Sequence, residues 1–120
     1  MAESKRVIVC GSRTYTNKEA IQSLLLTLLE NIVIVEGDAK GVDRIVGYYA
    51  KKFGFRVEEY PAHWEKYGNS AGYFRNLQMS NLDNVIGVFA FYVGNKPTIG
   101  TNMMIKIAME KHILVVCVES

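Results

Sequence analysis

Apolar residues occur along the chain in five short runs, separated by stretches with helical periodicity. Four runs are nearly continuous and rich in β-branched residues, which is typical of strands buried on both faces of a parallel sheet. The third run alternates polar and apolar residues and predicts an edge strand. The five predicted strands are Val7–Cys10, Ile32–Val35, Phe55–Glu59, Val85–Phe91 and Ile113–Val118.

Four helices are predicted in the intervals between these strands. Thr16 and Asn17 can cap the first helix, and Gly54 can follow the end of the second. Residues 70–82 and 101–111 supply the other two. The alternation predicts an α/β fold, an open parallel five-stranded sheet with helices on both faces. Right-handed crossovers favour the strand order 3-2-1-4-5.

The composition indicates a single domain over residues 1–120. Of the 120 residues, 49% are apolar and 22% are charged, so we expect a buried core rather than disorder. The net charge is +2 and basic residues do not cluster, which argues against a nucleic-acid partner. The amino-terminal residues predict no signal peptide, and no apolar stretch approaches the roughly 18 residues of a membrane span. These features predict a soluble cytoplasmic protein without a membrane partner.

The cysteines and histidines do not form a metal-binding pattern. Cys10 and Cys117 lie inside apolar runs without C-x-x-C spacing, so both are predicted to be buried free thiols. His63 and His112 have no metal-ligand spacing with each other or with cysteine. We therefore expect neither a metal nor a cofactor.

Glycines and small polar residues follow three of the predicted strands. In an open parallel sheet, ligands bind beyond the carboxyl ends of the strands, where the strand order reverses, here between strands 1 and 4. Helices that begin there offer free N–H groups and a partial positive charge, which suit phosphate or carboxylate. The predicted ligand residues in these loops are Gly11, Ser12, Arg13, Gly37, Asp38, Gly41, Asp43, Gly100 and Thr101.

The three loops indicate an anion or nucleotide pocket only in combination. A single glycine in such a loop more often serves turn geometry than a ligand. Neither the dinucleotide pattern G-x-G-x-x-G nor the P-loop pattern G-x-x-x-x-G-K-[ST] is present.

A long connection, residues 60–72, follows the third strand and leads into the helix of Arg75 and Asn76, which are also predicted ligand residues. Long loops in compact domains are often functional. Arg75 lies near the start of its helix, and its planar guanidinium suits a phosphate; the alternative is a solvated helix charge. His63 and Trp64 either pack locally or form a wall of the ligand site.

Four segments of the chain form a distinctive ordered set: V-I-V-C-G-S-R-T-Y at 7–15, E-G-D-A-K-G-V-D at 36–43, P-A-H-W at 61–64 and R-N-x-x-M at 75–79. Together they resemble a known family, the YspA-type (cpYpsA-related) SLOG family of bacteria and phages. The family is Rossmann-like, and its superfamily includes the LONELY GUY phosphoribohydrolases and the DNA-processing protein DprA. The resemblance extends over nearly the whole chain. It implies a nucleotide or ribose-phosphate ligand at the glycine loops.

The resemblance leaves catalysis open. Arg75 falls where the LONELY GUY motif R-K-x-x-M has its arginine, but Asn76 replaces the lysine. Gly100 and Thr101 match the G-T pair of the motif P-G-G-x-G-T-x-x-E, whereas Met104 stands at the position of the catalytic glutamate. Cleavage of an N-glycosidic bond needs a carboxylate, which methionine does not supply.

Three functions therefore remain. The leading one is a binding module for a nucleotide or ADP-ribose-like ligand, acting as sensor, carrier or sequestering protein. The second is a nucleoside 5′-monophosphate N-glycosidase with Arg75, Asp38 and Asp43 as catalytic candidates. The third is DprA-like binding of single-stranded DNA. Glu36 is expected to be structural, accepting hydrogen bonds from neighbouring backbone N–H groups.

Self-association as a dimer or tetramer is expected in each case. The last predicted helix is apolar around more than one face, and aromatic residues add further apolar surface. Packing against the sheet accounts for at least half of this surface. The aromatic residues are Tyr48, Tyr49, Phe89, Phe91 and Tyr92.

Overall fold

The computed structural model describes residues 4–29 and 31–119, which form one five-stranded parallel sheet. The strands lie in the order β3-β2-β1-β4-β5, with every neighbouring pair parallel. This confirms the predicted α/β, Rossmann-like topology. The strands are β1 (Arg6–Gly11), β2 (Val33–Glu36), β3 (Arg56–Glu59), β4 (Val85–Tyr92) and β5 (Leu114–Glu119).

Within the described residues, five α-helices connect the strands, and helices cover both faces of the sheet. Residues of α1 and α2 pack with Val7, Val9 and Ile34 on one face. Residues of α4 and α5 pack with Ile8 and Val35 on the other face. Successive side chains of β1 and β2 therefore pack into two separate cores, one on each face of the sheet. Because both faces are buried, the sequences of these strands are continuously apolar. The helices are α1 (Lys18–Thr27), α2 (Val42–Lys52), α3 (Trp64–Tyr67), α4 (Ala71–Ser80) and α5 (Ile99–Glu110).

Local signals in the sequence fix several helix ends. The Asn17 side chain accepts a hydrogen bond of 3.1 Å from the backbone N–H of Ala20 and caps α1 as predicted. Thr98 caps α5 by accepting a bond of 3.4 Å from the N–H of Thr101. Gly54 has φ of +91° just after α2, a conformation that glycine adopts at low cost.

The connection between β3 and α4 is not the irregular loop that the sequence suggested. It contains the single-turn helix α3, followed by a 3₁₀ turn over Gly68–Ser70. The Lys66 and Tyr67 N–H groups donate to the His63 carbonyl at 3.1 and 3.0 Å. These turns are too short to give the sequence a helical periodicity.

The fifth strand is more exposed than its apolar sequence suggested. It lies at an edge of the sheet, opposite the predicted edge strand β3. Leu114 is 66% exposed and Val116 is 37% exposed. Cys117 is exposed too, so the prediction of two buried thiols is right only for Cys10. A strand at a sheet edge has a neighbour on one side only, and the sequence run alone does not reveal this.

Packing in the domain uses much of the apolar surface that suggested self-association. Phe91, Ile107 and Ala108 are buried in the cores, while Tyr48 and Met109 remain exposed. Among the described residues, no helix has the length and apolar character needed to cross a bilayer.

Candidate functional site

A cavity of about 450 Å³ lies where the carboxyl end of β1 meets the beginnings of α2, α4 and α5. This is the point between β1 and β4 where the strand order reverses, and it has the size of a small-molecule site. The predicted ligand residues that line it are Gly11, Ser12, Arg13, Asp43, Arg75, Asn76, Gly100 and Thr101. Gly37, Asp38 and Gly41 are absent from its lining.

The loop after β1 presents hydroxyl groups and one cation to the cavity. The Ser12 hydroxyl lies 3.0 Å from that of Thr14 and accepts a bond of 3.2 Å from the Thr14 N–H. The Ser12 N–H donates to the Phe91 carbonyl at 3.0 Å, which ties the loop to β4. Arg13 is exposed and forms no hydrogen bond or ion pair with the described residues. Its guanidinium is therefore available to an anionic ligand.

The first turn of α5 forms another wall of the cavity. Thr98, Gly100 and Thr101 line it, and the Thr98 hydroxyl donates to that of Thr101 at 2.9 Å. Asn76 on α4 donates its side-chain N–H to the Gly100 carbonyl at 3.3 Å. This bond ties the middle of α4 to the first turn of α5, where both helices line the cavity.

Arg75 is anchored on the loop after β2. Its Nη1 donates to the Gly37 carbonyl at 2.8 Å, and its Nε donates to the Asn76 side-chain oxygen at 3.0 Å. A Cβ at position 37 would lie 2.3 Å from Nη1, so only glycine leaves room for the guanidinium. A guanidinium carries five N–H donors, and these bonds leave donors for an anion in the cavity that Arg75 lines.

Asp43 connects the start of α2 to the same loop. Its Oδ2 accepts hydrogen bonds of 3.2 Å from the N–H groups of both Gly37 and Ala39. Burial raises the pKa of Asp43 from its usual 3.8 to about 6, against the opposing effects of Arg75 and the two backbone donors. The cavity lining therefore includes a carboxyl group whose pKa lies above that of a free aspartate.

Gly41 and Gly11 allow close contacts within the protein, and Gly11 also lines the cavity. Gly41 has φ of +82°, and a Cβ there would lie 2.3 Å from the Ser12 carbonyl oxygen. At Gly11 a Cβ would meet the Phe91 carbonyl oxygen at 2.1 Å. The first contact joins the loops after β2 and β1, the second joins β1 to β4, and both shape the cavity.

Some cavity residues were not predicted from sequence. Asn69, Tyr73, Ile99 and Met103 line the opening and belong to no recognisable motif. Trp64 lines the cavity as well, in the position expected for a wall of the ligand site. His63 lies outside the cavity. The missed residues come from different helices, and only the packing of those helices brings them together.

Met104, at the position of the LONELY GUY glutamate, is fully buried among core residues of α4 and α5 and does not face the cavity.

A second cavity, of about 630 Å³, lies beside α2 and contains acidic residues. Carboxylate oxygens of Glu36, Asp38 and Glu59 lie within 4.8 Å of one another and are candidate metal ligands. Lys51 already pairs with Glu59 at 2.9 Å, and Arg44 lies 3.6 Å from Asp38. A cation would have to displace these partners. Glu36 also accepts the Asp38 N–H, which is the structural bond that the sequence predicted.

Comparison with known proteins agrees with this architecture. Residues 5–67, more than half of the chain, match the YspA, cpYpsA-related SLOG family. Gene 61 protein of Mycobacterium phage D29 is 33% identical over 84 residues, an alignment covering 62% of this chain and 67% of that protein.

A solved structure shares the fold. DNA processing protein A (DprA) from Streptococcus pneumoniae superposes with a TM-score of 0.59 at 16% identity, covering 94% of this chain. The chain spans 58% of the length of that protein. The family match over residues 5–67, together with the glycine loops that surround the cavity, places this chain in the YspA, cpYpsA-related SLOG family.

Proposed function

We propose that the chain binds a nucleotide or ADP-ribose-like ligand in the cavity at the carboxyl ends of the strands. The observation that carries this proposal is the convergence of Arg13, Arg75, the Ser12 and Thr14 hydroxyls and the first turn of α5 on one opening. Two guanidinium groups and a helix N-terminus suit a phosphate, while hydroxyl groups suit a polar sugar.

The ligand is tested by a thermal-shift panel of nucleoside mono-, di- and triphosphates, NAD, ADP-ribose and cyclic nucleotides. A ligand at about 100 times its dissociation constant stabilises the folded state by roughly 2.7 kcal/mol. Such a gain raises the melting temperature of a domain of this size by several degrees. A flat response to every compound would reject the nucleotide proposal.

Arg13 and Arg56 offer a matched pair of variants for the same panel. Arg13→Ala removes a cation that lines the cavity but bonds to no described residue, so the free protein should keep its stability while the ligand shift falls. Arg56→Ala removes an exposed cation on the edge strand β3 and should leave the ligand shift unchanged. Equal effects of the two variants would reduce the proposal to non-specific charge attraction.

A second candidate function, N-glycosidic cleavage of a nucleoside 5′-monophosphate, rests on Asp43. This carboxyl lines the cavity together with Arg75, and a pKa of about 6 suits proton transfer near neutral pH. Asp38 lines the second cavity instead, so Asp43 is the stronger catalytic candidate.

Chromatography of free bases released from the four ribonucleoside 5′-monophosphates separates catalysis from binding. If the chain is an enzyme, it should release a base, and Asp43→Asn should stop the release while the thermal shift persists. Binding without base release would leave the chain a binding module.

We also propose that the chain self-associates. The support is the exposed apolar surface of β5, where Leu114 and Val116 reach solvent at the edge of the sheet. Sedimentation at micromolar concentration should give a dimer or a tetramer, and Leu114→Lys should dissociate it. A monomeric wild-type protein would refute this.

A further inference from the structure

The cavity at the carboxyl end of β1 is lined by two chemically different sets of residues. The polar set includes Ser12, Arg13 and Arg75, and the apolar set includes large side chains from the helices. Trp64 on α3 and Tyr73 on α4 belong to the apolar set, and Ile99 and Met103 join it from α5. A ligand that fills the whole cavity must therefore combine an anionic or sugar part with a flat apolar part.

Trp64 is unusual among the aromatic residues near the opening. Its ring makes no ring–ring contact within the described part of the chain, whereas Phe74 pairs with Tyr67 and Tyr73 at centroid distances of 4.7 and 5.9 Å. Trp64 is 51% exposed despite its size. An indole that lines a cavity and leaves half its surface in water is available for a contact that the free protein does not provide.

The indole lies beside α4. A Cβ at Gly72 would lie 3.7 Å from Cη2 of Trp64, so the edge of the ring lies close to the first turn of α4. That same helix carries Arg75 and Asn76, which bond to the loop after β2 and to the start of α5. The ring therefore lies next to the helix that brings Arg75 to the same cavity.

From this arrangement we infer that Trp64 is the stacking platform for a nucleobase and decides between nucleotides and plain sugar phosphates. This inference rests on the proposed function, because it assumes that Ser12, Arg13 and Arg75 bind the phosphate or ribose. Aromatic stacking tolerates any base, since every base has a π-face, so Trp64 selects for the presence of a base rather than for its identity. Tyr73 belongs to the same apolar set of lining residues.

Adenosine 5′-monophosphate and ribose 5-phosphate test this inference, because they share the phosphate and the sugar but not the base. Stacking on one aromatic side chain should make the nucleotide bind roughly 5- to 150-fold more tightly in calorimetric titrations. Trp64 is the one tryptophan of the sequence, so quenching of its fluorescence by the nucleotide reports the contact directly. Ribose 5-phosphate should give little quenching.

Variants of the platform separate recognition from folding. Trp64→Ala should bring the nucleotide close to the affinity of ribose 5-phosphate and leave that of ribose 5-phosphate unchanged, while Trp64→Phe should keep most of the preference. Tyr48→Ala is the matched control, because Tyr48 is an exposed aromatic residue that lines the second cavity, and it should change neither affinity.

The possible failures are distinguishable. Equal affinity of the wild-type protein for the two ligands would overturn the platform but leave the proposed phosphate site standing. An equal loss for both ligands in Trp64→Ala would assign Trp64 a structural role and also overturn the platform. If ribose 5-phosphate and every compound of the thermal-shift panel fail to bind, the proposed function and the platform are both refuted.

Discussion

Replacement of Glu36 by glutamine should change how the stability of the domain depends on pH. Glu36 ends β2 with its side chain buried, and it accepts a hydrogen bond from the Asp38 N–H. A Cβ on Gly47 would lie 2.5 Å from its Oε2, so α2 packs tightly over the carboxyl group. Glutamine has nearly the same shape and keeps an oxygen for the Asp38 bond, but it cannot ionise.

The magnitude follows from the pKa of Glu36. Burial raises it from 4.5 to about 7, and the nearby Asp43, Glu59 and Asp38 carboxylates add to the rise, while the Asp38 N–H opposes it. Because the folded state holds the proton more tightly, its stabilising contribution is full below pH 4.5 and is lost as the pH rises through 7. At about 1.36 kcal/mol per pKa unit, the loss amounts to about 3 kcal/mol.

Urea unfolding at a series of pH values from 4 to 8, followed by circular dichroism, measures this effect. The free energy of unfolding of Glu36→Gln, relative to the wild-type protein, should rise by about 3 kcal/mol between pH 4.5 and pH 7.5. Asp43→Asn provides an internal comparison, because its pKa shift from 3.8 to about 6 moves the change to lower pH. A stability difference between Glu36→Gln and wild type that stays constant with pH would refute the reasoning.

Further variants test the packing of the site and of the sheet. Gly37→Ala would place a Cβ 2.3 Å from Arg75 Nη1, so it should displace the guanidinium and weaken nucleotide binding at least tenfold by calorimetry; unchanged affinity would separate Arg75 from the ligand. Gly100→Ala meets no atom within 4 Å and lies in α5, so it should raise stability by up to about 1 kcal/mol, seen as a higher melting temperature. Arg6→Ala removes two bonds to Glu58, of 2.8 and 3.2 Å, and should cost about 1–2 kcal/mol in urea unfolding, with a cost near zero contradicting this. Finally, a single-stranded 20-nucleotide DNA should not be retarded in a gel at low salt, and a salt-dependent shift would favour a DNA-binding role.

The sequence by itself determined the topology. Continuous β-branched runs require burial on both faces, and right-handed crossovers between parallel strands leave few alternatives to the order that was found. The cap at Asn17 and the turn at Gly54 could be predicted from the sequence because they depend on the backbone geometry of nearby residues. The position of the cavity at the switch point followed from the topology in the same way.

The tertiary structure alone decided what each loop residue does. Gly37 and Gly41 were predicted as ligand residues; the structure places them outside the cavity lining, where they leave room for Arg75 and for the loop after β1. Trp64 and Tyr73 line the same cavity because α3 and α4 pack beside it, and no local sequence pattern predicts the packing of these two helices. Sequence periodicity records which face of an element is buried. The partner that covers the face, and the side chains that converge from distant elements, depend on packing between residues far apart in the chain.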